Sequence, residues 1–151
     1  MTIRLDRRVV VGTDSQGRST VVADGRDMAS ALPGTGVRIE EVWWQDQVPA
    51  RTDQQGARTG DIGLEAPAGG AVVRVLTVPP VPAETWSEDL HFDDSMHVMT
   101  MVEGELGVVL EVGEVVLQRG DSIVLPGSVH DLRNTSGAPS VFVYTSFPLT
   151  R

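Results

Sequence analysis

The apolar residues of this chain fall in short, valine-rich runs bounded by glycine, proline and polar turns, and little of the pattern repeats at helical spacing. Residues 8–12 and 19–23 flank Asp14-Ser15-Gln16-Gly17, a polar turn that predicts an N-terminal hairpin. Residues 37–44 form another run after Leu32-Pro33-Gly34-Thr35-Gly36. Residues 45–60, rich in Gln, Asp and Arg, predict an extended excursion. Residues 71–78 read as a strand closed by Pro79-Pro80-Val81-Pro82, because proline cannot donate to a ladder and restricts the residue before it. Further strands are predicted over residues 98–102, 107–112, 122–125 and 141–145. Residues 26–31 and 83–87 have the composition of single helical turns. Strands at this spacing, punctuated by Gly and Pro, predict an all-β sandwich or barrel.

Composition narrows the picture. A length of 151 residues fits a single domain over 1–151. Twelve Lys plus Arg against 21 Asp plus Glu give a formal charge of −9, without the basic footprint that phosphate backbones require. Nucleic acid is therefore not an expected partner. The apolar runs are far shorter than the roughly 20 residues that span a bilayer, and the N-terminal MTIRLDRRVVV is too charged for a secretory core, so no membrane partner and a cytoplasmic location are expected. The absence of cysteine excludes disulfides, thiolate ligands and a cysteine nucleophile. Any metal must be held by nitrogen and oxygen.

Nitrogen donors are concentrated in one region. The three histidines, His91, His97 and His130, stand in HFDDSMHVMTMVEG and RGDSIVLPGSVHDLRN, one compact pattern together with a carboxylate, and imidazole is the commonest protein ligand of transition metals. In a strand, residues two apart share a face, so His91, Asp93, His97, Met99 and Met101 have one parity. The methionines would make a soft wall for an organic ligand, although core filling is the ordinary use of methionine at this spacing. Gly104, Gly120 and Gly127 read as turn residues, and Asp121 and Asn134 as turn caps. Trp43, Trp44 and Trp86 read as core or interface aromatics, and Tyr144 as a candidate proton donor on the last strand.

These motifs resemble those of the cupins, small β-barrels of the jelly-roll kind. The first cupin motif, His-x-His-x3-Glu followed by a turn glycine, is similar to His91-x-Asp93-x3-His97 with Gly104; the second, Pro-Gly-x-x-His-x3-Asn, is similar to Pro126-Gly127-Ser128-Val129-His130-Asp131-Leu132-Arg133-Asn134. Arg119-Gly120-Asp121 resembles the Pro-Gly-Asp turn between them. The resemblance covers residues 71–147, the expected barrel core, and implies a jelly-roll β-barrel whose N-terminal strands, within an arm and hairpin over 1–66, extend the sheet. Asp93 stands where the family has its second histidine, and His97 where it has its glutamate. The resemblance therefore implies a set of three imidazoles and one carboxylate with two positions exchanged: His91, Asp93, His97 and His130. Asp94 is the alternative oxygen donor if a bulge shifts the register.

The resemblance implies one divalent transition metal ion, with iron, manganese, nickel and zinc all compatible with such ligands. The expected function is a metal-dependent enzyme acting on a small oxygen-rich organic acid or carbonyl compound of polyketide-like chemistry, by Lewis-acid decarboxylation or dehydration. The alternatives are an Fe(II) dioxygenase and a non-catalytic module that binds a small ligand or metal. Glu40, Glu41 and Glu103 leave a general base unassigned. A transcriptional regulator lacks a visible DNA-binding segment here, and nothing fixes the roles that a metal-free sugar epimerase needs. Valine-rich edge strands on an acidic chain predict a homodimer.

Overall fold

The computed structural model describes residues 7–31, 34 and 36–150, so the predicted loop through Leu32, Pro33 and Thr35 lies partly outside the described residues. Eleven strands follow one another among them: β1 Arg8–Thr13, β2 Ser19–Gly25, β3 Ser30–Ala31, β4 Arg38–Gln45, β5 Ala71–Val78, β6 Ser95–Glu103, β7 Glu105–Leu110, β8 Glu114–Gln118, β9 Ser122–Pro126, β10 His130–Arg133 and β11 Ser140–Pro148. The described residues contain no helix, and none is long and apolar enough to cross a membrane.

The strands form three antiparallel sheets. A six-stranded sheet runs in the order β3-β4-β5-β11-β6-β9, a three-stranded sheet in the order β10-β7-β8, and β1 pairs with β2 alone. The two larger sheets enclose the core, in which Val78, Met99, Met101, Phe142 and Leu125 from one meet Leu106, Val108 and Leu117 from the other. The all-β jelly-roll expectation is met, and β3 and β4 extend the main sheet from its N-terminal side.

Where prediction and structure differ, local chemistry explains the difference. The run predicted over 107–112 stops at Leu110, because the chain turns through Gly113 at φ +85° with Leu110 N donating to Gly113 O. Strand β8 was hidden in that reading: it is an edge strand whose Val115 and Val116 are exposed, so it lacks an alternating burial signature. Strands β3 and β10 are two and four residues long, too short to carry a period. Residues 26–31 form no helical turn; Ser30 and Ala31 pair with Glu40 and Ile39 instead. Residues 83–87 begin a tight turn in which Pro82 O accepts from Thr85 N, Trp86 N and Thr85 Oγ1.

The turn residues behave as their sequence predicts. Gly104, Gly120 and Gly127 have φ of +79°, +91° and +63°. Asp121 Oδ2 accepts from Gln118 N at 2.9 Å, and buried Asn134 donates to Val78 O and Ala138 O while accepting from Ser136. Gly104 has a second constraint, because a Cβ there would stand 2.6 Å from Pro139 O. Gly120 has open space. In urea denaturation, Gly104→Ala should therefore cost more than Gly120→Ala: roughly 1 kcal/mol for the left-handed backbone at either site, and about 1–2 kcal/mol more at Gly104 for the clash. Equal losses would show that the Pro139 contact is without consequence.

Candidate functional site

Strand register builds the site. Glu41 on β4 pairs with Arg74 on β5, Arg74 with Tyr144 on β11, and Tyr144 with Met99 on β6, so four inward-facing side chains form one row across the sheet. One step along, Ser146 pairs with His97; on the other side, Leu76 pairs with Phe142, which pairs with Met101. Cross-strand neighbours at such positions have Cβ atoms about 5 Å apart, which explains why these groups meet.

The other two histidines arrive from loop and strand ends. His91 and His130 form an isolated antiparallel bridge, each backbone N donating to the other's carbonyl at 3.0 Å. That exchange sets their rings 4.7 Å apart, centroid to centroid, and the His97 ring lies 6.1 Å from His130 and 5.6 Å from Tyr144. His91, Asp93, His97, His130 and Tyr144 line the polar end of a cavity of about 180 Å³; Leu64, Leu76, Met99, Leu132 and Phe142 line the rest. Met101, two residues beyond Met99 on the same face, belongs to the buried core cluster and does not line the cavity. Asp93 is the carboxylate at the cavity, as parity implied, while the backbone carbonyl of Asp94 accepts from Leu149 N.

Hydrogen bonds assign the ring protons. A carbonyl only accepts, so His91 Nδ1, 3.1 Å from Asp89 O, and His130 Nδ1, 2.8 Å from Ser128 O, each carry the proton. Nε2 is then the nitrogen that each ring presents away from its backbone partner. His97 is different. Its Nε2 donates to Asp93 Oδ2 at 2.8 Å, and its Nδ1 is buried without a partner. Burial lowers the His130 pKa below its ordinary value, against the hydrogen bond to Ser128, and the nearby His91 and His97 push the same way, so this ring is neutral near pH 7. Burial also raises the Tyr144 pKa, outweighing Arg74, and keeps the phenol protonated.

Whether this donor set suits a cation depends on two observations. Its chemistry fits: imidazoles with Nδ1 tied to backbone carbonyls are the arrangement in which Nε2 is presented to a metal, and an orphaned nitrogen on His97 completes a nitrogen-rich set beside a carboxylate. The spacing differs, because among the described residues no group of three or more His, Asp or Glu side chains is gathered closely enough to hold an ion. The His97–Asp93 hydrogen bond draws those two donors onto each other.

Behind Tyr144 lies a charged cluster that the sequence motifs do not contain. Arg74 and Glu41 both have side chains with 0% exposure, and their ion pair is 2.9 Å long. Arg58, from the excursion, donates Nε and Nη2 to the two Glu41 oxygens at 2.7 and 2.8 Å. Burial pushes the Glu41 carboxyl up, but hydrogen bonds from Arg58 and Arg74 outweigh it and hold its pKa below the ordinary value. Arg74 also donates Nη1 to Tyr144 Oη at 3.4 Å. The available signal was a lone arginine in AVVRVLTV, on the parity of Val72, Leu76 and Val78, all of which are apolar.

No family model matches this chain, and no curated protein matches it. Solved structures do. It is similar to the crystal structure assigned to ethanolamine utilization protein Q of Salmonella typhimurium LT2, at 12% identity and a TM-score of 0.54 over 97% of this chain and 99% of that one. It is similar also to an RmlC-like cupin from Shewanella frigidimarina NCIMB 400, at 16% identity and a TM-score of 0.54 over 82% of this chain and 86% of that one. At these identities the likeness is one of fold.

The Glu41 cluster makes stability depend on acid. A carboxyl whose folded pKa lies below its unfolded value gives stability that is complete above about pH 4.5 and is lost as pH falls through the folded value. Glu41→Gln should lower stability at pH 7 by roughly 3 kcal/mol, because two guanidiniums lose their counter-charge, and should flatten the decline measured by urea denaturation between pH 5 and pH 3. An unchanged acid slope in the variant would place the responsible group elsewhere.

Proposed function

Because this chain carries the cupin fold, we propose that its cavity is the active site of a metal-dependent enzyme that acts on a small oxygen-rich organic acid or carbonyl compound by lyase-type chemistry, decarboxylation or dehydration. The observation that carries this reading is the shared tautomer of His91 and His130, whose Nδ1–H groups are spent on backbone carbonyls in a cavity that holds every histidine of the chain. His91, Asp93, His97 and His130 are the residues that would hold the ion, with the His97–Asp93 hydrogen bond opening to admit it. Bound there, iron, manganese, nickel or zinc would supply Lewis-acid withdrawal of electron density from a substrate carboxylate or carbonyl.

The protein's own groups supply the rest. Met99, Leu76, Leu132 and Phe142 keep the cavity apolar beyond its polar end, which strengthens every charge interaction inside it. Tyr144 receives a hydrogen bond from Arg74 at its oxygen and keeps its own proton for an oxygen of the substrate. A second reading, a non-catalytic barrel that binds a small ligand, is favoured by the 2.8 Å His97–Asp93 hydrogen bond, which spends those two groups on each other. Turnover that persists without oxygen would distinguish a lyase from an Fe(II) dioxygenase at the same site.

The β1–β2 ribbon supports a homodimer. It pairs with neither larger sheet, and Val9, Val11, Val21 and Val22 are exposed along it. A two-stranded ribbon is marginal alone, and a second copy would cover both its valines and its edges.

Three measurements test these readings. Elemental analysis of protein purified without chelator should find about one equivalent of metal in the parent and little in His97→Ala and His130→Ala; an ion-free parent that stays ion-free after metal loading leaves the binding-module reading. Tyr144 is the only tyrosine, so its ultraviolet titration is unambiguous and should place ionisation above pH 10, whereas ionisation at or below that value would show that the phenol is not desolvated as its burial requires. Light scattering at micromolar concentration should give twice the monomer mass of 16.2 kDa; a monomeric mass would refute the dimer.

A further inference from the structure

The cavity has one wall that belongs to neither sheet. Residues 60–65 cross from the excursion toward β5 as a strap, and Leu64 is the strap residue that lines the cavity. The strap is held through its backbone. Ser30 N donates to Gly60 O at 2.8 Å beside a parallel bridge between Ser30 and Asp61. Arg74 donates Nη2 to Gly63 O and Nη1 to Leu64 O, each at 2.8 Å. The guanidinium making these bonds has no solvent exposure and is locked by Glu41.

Two features separate Leu64 from an ordinary loop residue. Its own carbonyl is fixed by a buried charged donor. Its side chain is nevertheless 60% exposed, while the other apolar residues of the cavity are buried or half-buried. A large apolar side chain on a backbone-anchored segment, lining the same cavity as Leu76, Met99 and Phe142 but largely exposed, is incompletely packed until something apolar enters.

We propose that Leu64 is the specificity-determining residue of this cavity: it closes the apolar end and sets how much hydrocarbon a substrate carries behind its oxygen-rich head, with Arg74 as the residue that positions it. This rests on the reading of the histidine end as the place where that head binds. Arg74 connects the two ends, since the guanidinium that holds the strap also donates to Tyr144 Oη. The substrate class is a small carboxylate or carbonyl compound with a short aliphatic or alicyclic body, and not a sugar, whose hydroxyls would find no polar partner along that wall.

Straight-chain carboxylates from acetate to octanoate are the probes, with affinity read by ligand-detected NMR on the full chain. Each buried methylene is worth a roughly fourfold gain in affinity, so parent affinity should climb with chain length to a limit and then fall. Leu64→Ala should move that limit to longer chains by about one or two methylenes, and Leu64→Trp should move it to shorter ones. Both variants should fold, because the side chain is largely exposed. Arg74→Lys, which cannot span both carbonyls, should move the limit in the direction of Leu64→Ala; a purely structural arginine would lower the melting temperature and leave the limit where it was.

The same limit in the parent and both Leu64 variants would overturn the proposal. His130→Ala, measured in parallel, tests the polar end: full carboxylate binding in that variant defeats the active-site reading, while the Leu64 series still decides the role of the strap. A parent that binds no carboxylate in the series overturns both.

Discussion

A guanidinium sealed from solvent in the middle of a β-sheet governs the arrangement of everything around it. Removing such a group from water costs several kcal/mol, so its donors must all be met. Arg74 meets them with two contacts to Glu41 Oε1, the carbonyls of Gly63 and Leu64, and Tyr144 Oη. Each partner comes from a different part of the chain: β4, the strap and β11. The requirement to satisfy one side chain therefore couples the edge of the main sheet, the wall of the cavity and the hydroxyl beside the histidines. A substitution at this position that kept the volume but lost the fork of donors would leave two carbonyls unpaired and Glu41 with Arg58 alone.

The histidine cluster follows a complementary logic. The rings of His91 and His97 stand 4.7 and 6.1 Å from that of His130, and burial, aided by those two neighbours, lowers the His130 pKa. Backbone carbonyls choose which nitrogen of His91 and of His130 donates. His97 alone has a carboxylate partner, and that carboxylate comes from four residues earlier in the chain, just before β6 begins. The exchange of aspartate and histidine between two motif positions is thus accommodated locally: the pair that would otherwise be two separate donors bonds to itself. His91 and His130, oriented by their backbone carbonyl partners, remain beside it.

Much of this was legible before any coordinates. The parity of His97, Met99 and Met101 is the observed face of β6, the turn glycines have the positive φ that their positions required, and the three histidines share one cavity. What escaped was of two kinds. Strands β3 and β10 are too short for a period to register, and β8 is an edge whose exposed valines break the alternation. The Glu41–Arg74–Arg58 cluster escaped because its members stand far apart in sequence, and Glu41 becomes fixed as inward-facing only through its pairing across a bulge with β5. Depth was a further limit. Alternation gives the side of a sheet, but not how far along the barrel a residue sits, which is why Met99 borders the cavity and Met101 does not.

Depth also explains how the site divides its work. The three histidines and Tyr144 are carried on strands or on the His91–His130 bridge, where backbone hydrogen bonds leave little freedom and donor geometry is held closely. The opposite wall is a strap whose carbonyls, and not its side chains, are gripped by Arg74. Backbone anchoring is indifferent to side-chain identity. The residue facing the cavity can therefore vary without disturbing either the anchor or the polar end, so one barrel can keep a single chemistry while the size of the molecule it admits is adjusted at a single position.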